Sequence, residues 1–213
     1  MPELAELHQQ IRASEAKGDL AAITKLRAQI ARDFPGTPDA AEALFRLGLF
    51  FLFAQGDIAA AMQTFEEAIK CKDPQWSKAA RVSLASLYLR EDKPQKALLE
   101  LRRALGTNEP ASVHTISALS IIELIHDKAG DASLAREAKH EKVKHLQTVI
   151  AEAREAKDDA TLAYFLVSLG AELLLLNEGK AAMVLYKEVV EMGAPRAGEA
   201  MSKEAAAALK ARG

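Results

Sequence analysis

The feature that most constrains this chain of 213 residues is a spacing pattern that it writes three times. In the stretch from Ala41 to Phe51, Leu44, Leu47, Gly48 and Phe51 fall on one stripe of a helix, because residues three and four apart are neighbours at 3.6 residues per turn. The stretch Leu166, Leu169, Gly170 and Leu173 repeats it. Each stripe is followed by a turn and a second stripe. After Gly56-Asp57 come Ala61, Phe65 and Ala68; after Asn177-Glu178-Gly179 come Ala182, Tyr186 and Val189. A third copy lies between them: Leu84, Ala85 and Tyr88, a turn from Glu91 to Pro94, then Ala97, Leu101 and Ala104. A glycine within an apolar stripe lets a second helix approach closely, and a small-large-small stripe is its complement. The pattern therefore predicts antiparallel helix pairs, each reversing at a turn with an acidic residue at the second helix's N-terminus.

Nothing competes with helix. No segment alternates apolar and polar residues for more than a few positions, and alanine, the best helix former, is frequent. The 28 basic and 30 acidic residues are spread along the chain, without the concentrated basic stripe of a nucleic-acid binder. The nearest candidate, Lys139, His140, Lys142, Lys144 and His145, is interrupted by Glu137 and Glu141 and reads as a solvated helix face. The longest apolar runs, Leu47 to Ala54 and Leu173 to Leu176, fall short of the roughly 18 residues of a membrane span. Cys71 is the one cysteine, and the N-terminus lacks the basic and apolar regions of a signal peptide, so the expected location is cytoplasmic, or periplasmic if an export signal was removed.

The glycine, alanine and aromatic positions are those of the tetratricopeptide repeat (TPR), a helix hairpin of roughly 34 residues, and the chain resembles that family. The period between Ala61 and Ala97, and between Ala68 and Ala104, is two residues longer, an excess expected in the turns; in the first copy, Gly48 to Ala61 is one residue longer than Gly170 to Ala182. The resemblance implies an all-α, TPR-like α-solenoid of about five helix hairpins plus a C-terminal capping helix. Its parts are a degenerate pair at 1–34, two repeats at 38–106, a degenerate pair with a long second helix at 111–157, a repeat at 160–192 and the cap at 195–213, in one continuous domain. A discontinuity near 106–112 or 155–160 would split it into two sub-bundles. In the degenerate central pair, Ile122-Glu123 replaces Leu-Gly and Lys139 replaces the aromatic. The segment Asp33 to Leu44 resembles the inter-repeat joint of bacterial cell-envelope TPR proteins, such as the outer-membrane assembly lipoproteins.

The same resemblance makes the first helix of each pair the inner wall of a curved stack. It assigns partner-binding positions to Phe45, Leu49, Leu52 and Phe53, then to Val82, Ser86 and Leu89, and in the last repeat to Tyr164, Val167, Ala171, Leu174 and Leu175. The first of these helices is apolar over most of its circumference, broken mainly by Glu42 and Arg46, so something must cover its second side. Three occupants are compatible: an amphipathic helix or extended hydrophobic segment of a protein partner, the chain's own terminal helix, and a second copy in a homo-oligomer. The Lys/Asn/Arg clamp of chaperone-tail-binding TPRs is missing, since its places hold Phe45, Leu49 and Ser83.

No catalytic, cofactor-binding or metal-binding set is expected. The five histidines lack ligand spacing, and His140 and His145 point to different helix faces. Glu66-Glu67 and Asp158-Asp159 diverge on a helix. Cys71, beside Lys70 and Lys72, has no neighbouring histidine in sequence, and Trp76 is expected to pack at a repeat joint. The expectation is a protein–protein interaction adaptor or scaffold rather than an enzyme.

Overall fold

In the first two hairpins the turn chemistry operates as the sequence predicts, whereas Lys93, Asp131 and Glu178 begin the second helices of the other three without a side-chain cap. Gly18 and Gly56 adopt φ of 67° and 68°, a left-handed conformation that costs a glycine nothing. Asp19 and Asp57 follow them as N-caps, whose carboxylates accept hydrogen bonds from the backbone N–H groups of Ala22 and Ala60 at 2.9 Å. Asp73 and Asp158 cap two further helices in the same way, taking the N–H groups of Trp76 at 2.8 Å and Thr161 at 3.1 Å.

The computed structural model describes residues 3–106 and 112–211. Among them every regular element is helical, and the chain divides into two compact units, Met1–Glu109 and Pro110–Gly213. Unit 1 contains α1 (Leu4–Glu15), α2 (Leu20–Asp33), α3 (Pro38–Phe50), a π-helical turn (Phe51–Gln55), α4 (Ile58–Lys70), α5 (Pro74–Arg90) and α6 (Pro94–Leu105). Unit 2 contains α7 (Val113–Ala129), α8 (Ala132–Ala156), α9 (Asp159–Leu175), α10 (Gly179–Met192), the single turn α11 (Ala194–Ala197) and α12 (Glu199–Lys210). The helices form five hairpins followed by the C-terminal helix, which packs on α10 and α9. Residues 107–111 of the joint expected at 106–112, and Arg212 of the expected cap surface, lie outside the described residues.

Within unit 1 each helix packs on its neighbour in sequence, and α3 also touches α5. Ala61, Phe65 and Ala68 of α4 are wholly buried against α3, and the ring of Phe65 fills the space left by Gly48. A second cluster, with Leu7, Ile11, Ile30 and Ala43 at its centre, ties α1 and α2 to α3. Each such buried aliphatic or aromatic side chain contributes about 1.5–3 kcal/mol through removal from water. Unit 2 repeats the seam with Gly170 of α9 against Tyr186 of α10, and α12 closes its end through Met201, Ala205, Ala208 and Leu209.

The extra residue between Gly48 and Ala61 is taken up at the end of α3, which closes in the π-helical turn, whose i→i+5 bonding accommodates one more residue than an α-turn. One expectation is corrected: the basic segment of α8 is not simply a solvated face. His140 and Lys144 are exposed, but Lys142 is 4% exposed and Lys139 is half-buried, because both reach glutamates on neighbouring helices.

Candidate protein-binding surface

The sequence assigns seven inner-wall residues to unit 1, Phe45 and Leu49 on α3, Leu52 and Phe53 on the π-helical turn, and Val82, Ser86 and Leu89 on α5, and the fold treats them unequally. Phe45 is 8% exposed. Its ring lies 5.8 Å from that of Phe65 and 5.5 Å from that of Trp76, both tilted, so it is core. Trp76 reaches it because the Asp73 cap fixes where α5 begins, and Arg46 stacks over the outer face of Trp76 at 5.7 Å. Leu49 and Leu52 are half-buried, packed against the same cluster. Phe53, on the π-helical turn, is 79% exposed. On α5, Val82 is buried, while Ser86 and Leu89 are half-buried; the Ser86 hydroxyl donates to the Val82 carbonyl at 3.1 Å. The open part of the set is thus Leu49, Leu52, Phe53, Ser86 and Leu89.

Beside these residues, α1, α2 and α3 enclose a charged cavity whose carboxylates are already engaged. His8 meets Asp39 at 2.7 Å, Arg27 meets Glu15 at 3.1 Å and Arg46 meets Glu42 at 2.6 Å. Burial, and secondarily the neighbouring Arg46, hold the Arg27 guanidinium below its ordinary pKa.

Unit 2 has its own groove. Tyr164, Val167 and Ala171 of α9 line it, as the inner-wall assignment implies, whereas Leu175 is exposed away from it and Leu174 packs on the core. Its other walls are α7, through residues such as Ile116 and Ser120, and α12, through Met201 and Glu204. Periodicity marks Ile116 and Met201 as apolar positions of their helices, but only the tertiary placement of α12 puts them in one depression.

Beneath that groove, the degenerate copy has an ionic seam. Glu123 stands where the other copies have Gly48, Ala85 and Gly170, and Lys139 stands where they have Phe65, Leu101 and Tyr186. The two meet at 3.0 Å. Lys142 adds a 2.6 Å contact to Glu123 and a 2.8 Å contact to Glu172 of α9. Burial pushes the Glu123 carboxyl up, but hydrogen bonds from Lys142 and Lys139 outweigh it and hold the group below its ordinary value. Within this seam Glu123 and the two lysines are consumed by one another, while Glu172 gives the seam one of its two oxygens. Among the described residues, no group of three or more His, Cys, Asp or Glu side chains is placed to hold a metal ion, and no helix is long and apolar enough to cross a membrane.

The sequence matches the family model described as a tetratricopeptide repeat-like domain over residues 2–116. Comparison with curated proteins finds no match. Among solved structures, the crystal structure of MamA is similar, with 18% sequence identity, 95% of each chain covered and a TM-score of 0.49. Because the family model spans more than half of the 213 residues, and the Gly48–Phe65 seam lies within that span, the chain belongs to the tetratricopeptide repeat-like family.

Proposed function

We propose that the protein is a non-catalytic adaptor or scaffold that binds a hydrophobic segment of a partner protein, helical or extended, on the inner face of unit 1. Leu49, Leu52 and Phe53 are the anchors in this reading; Ser86 and Leu89 extend the surface, and Phe45 and Val82 support it from below. The observation that carries it is Phe53, a phenylalanine left 79% exposed on a π-helical turn beside two half-buried leucines. Exposed aromatic side chains next to apolar neighbours are characteristic of binding hot spots, and π-helical turns occur frequently at functional sites.

The experiment is capture of partners from the native cell by the wild type and by a Leu49→Ser/Phe53→Ser variant, with the thermal melt of both measured in parallel. The expected result is loss of specific partners with little change in the melt. A variant that unfolds would instead assign these residues to the core; one that retains every partner would remove the surface from consideration. The same Phe53 would serve a homodimer. Light scattering at two protein concentrations separates the readings, since a stable oligomer without any partner supports self-association.

A further inference from the structure

The groove of unit 2 differs in chemistry from the face around Phe53. Its apolar contact surface comes from side chains such as Ile116, Phe165, Val167 and Met201. Its polar atoms are almost all acceptors. Ser117, Ser120 and Ser168 each donate their hydroxyl proton to the carbonyl four residues back, those of Val113, Ile116 and Tyr164, at 2.8, 3.0 and 2.9 Å. A hydroxyl with its proton committed offers a visiting group only lone pairs. The charged side chains among the described residues lining the groove are Glu172 and Glu204, and an ionised carboxylate is acceptor-only.

Glu172 adds a second observation. One of its oxygens takes the Lys142 ammonium at 2.8 Å, while the other, Oε2, is buried with no hydrogen-bond partner. A buried acceptor without a donor is costly, and a donor that enters the groove relieves that cost after a small rotation of the carboxylate. Among the described lining residues there is no Lys, Arg, His, Asn, Gln or Trp, and the Tyr164 hydroxyl is the one side-chain group left with a proton to give. The groove therefore asks its occupant for apolar contact and for N–H donors, preferably charged. A phosphate-bearing surface has the opposite chemistry.

We propose that the groove between α7, α9 and α12 binds an amphipathic segment of a partner protein whose apolar face is flanked by lysine or arginine. The proposal rests on reading the chain as a protein-binding repeat, but it assigns a second surface, chemically distinct from that of Phe53. Ile116, Phe165, Val167 and Met201 receive the apolar face, and Glu172 and Glu204 receive the cations.

The test uses the full chain and two labelled amphipathic peptides, one of leucine and lysine and one with every lysine replaced by glutamate, followed by fluorescence anisotropy. The leucine–lysine peptide is expected to bind at least about tenfold more tightly than its acidic counterpart. Glu204→Lys, a change at an exposed position, and Ala171→Trp, which fills the groove from its rim, are each expected to weaken that binding by about tenfold with the circular dichroism spectrum unchanged. Glu152→Lys, on an exposed position of α8 away from the groove lining, and Phe53→Ser are expected to leave it unaltered. Equal binding of the two peptides overturns the proposal, as does equal sensitivity to Glu204→Lys and Glu152→Lys, which would mean diffuse charge attraction. Loss of binding through Phe53→Ser alone would move the peptide to unit 1, overturning this assignment while leaving the adaptor reading intact.

Discussion

A β-carbon added at Gly48 would lie 2.5 Å from Cε1 of Phe65, so the aromatic ring occupies the space that a larger residue would claim. Gly170 stands in the same relation to Tyr186, with the nearest ring atom at 2.8 Å. In α5 and α6 the corresponding residues are Ala85 and Leu101, both fully buried: the branched aliphatic side chain leaves room for a methyl where the planar ring does not.

That comparison predicts a compensating pair. Gly48→Ala alone should destabilise unit 1 by about 1–3 kcal/mol through overpacking. Combined with Phe65→Leu, it should recover much of the loss, because the two changes together rewrite the α3–α4 seam as the α5–α6 one. Trp76, the only tryptophan, sits against Phe45 in the same cluster, so its fluorescence during urea unfolding reads the effect directly. Simple additivity of the two changes would show that the seam is not the unit of packing.

The ionic seam of the central copy gives a second prediction. Glu123 is 9% exposed and faces both Lys139 and Lys142, so Glu123→Gln removes the countercharge from two lysines at once. Breaking a buried pair from one side typically costs about 3–5 kcal/mol, and here Glu172 retains part of the compensation for Lys142, so the lower end is expected. Hydrogen exchange along α7 and α8 should rise accordingly. Glu123→Gly with Lys139→Tyr, which restores the glycine–aromatic pairing of the other copies, should be less destabilised than Glu123→Gly alone.

The pH dependence follows from the same carboxylate. Its folded-state pKa lies below the ordinary value of 4.5, because the lysine hydrogen bonds outweigh burial. Between the lowered folded value and 4.5 the unfolded chain binds more protons than the folded one, so stability rises with pH across that window. The Glu123 contribution is complete above 4.5 and disappears as pH falls through the folded value. Asp158, held down by hydrogen bonds from Thr161, and Asp159, held down by Arg196, titrate with the same sign. The urea midpoint should therefore fall on acidification, with a shallower dependence in Glu123→Gln; identical slopes would remove Glu123 as a source.

The seams were legible because close packing leaves few solutions: a glycine or alanine opposite a large side chain at fixed spacing can be read without coordinates. The Gly-Asp turns were legible for a similar reason, since each residue type answers a local backbone requirement. The ionic seam was not. Periodicity registers Lys139 and Lys142 only as polar, and the partners that bury them, Glu123 and Glu172, stand on other helices. Phe45 was legible as apolar, but not as covered, because its cover is Trp76 at the start of the next hairpin. The unit 2 groove was half-visible: Tyr164, Val167 and Ala171 follow from the repeat, whereas the wall that α12 supplies depends on where the last helix docks.

The π-helical turn gives the last prediction. Spacing alone shows one surplus residue between Gly48 and Ala61, and an ordinary loop would have absorbed it. The hairpin packing explains why its removal should be tolerated: Gly48 is fixed by Phe65, and Ala61 by its own burial in α4, leaving the segment from Phe51 to Gln55 to take up the difference. Ala54 is exposed. Deleting it should return the turn to α geometry with a stability change within about 1 kcal/mol, whereas deleting Ala171 from α9 should unfold unit 2 by turning the buried Leu173 out of register with Leu166 and Leu169. The Ala54 deletion also moves Phe53, whose exposed direction depends on the wider turn. If Phe53 anchors a partner, the deleted chain should melt like the wild type yet lose that partner. A deletion that leaves both melt and capture unchanged would separate the π-helical turn from function and make it a tolerated insertion.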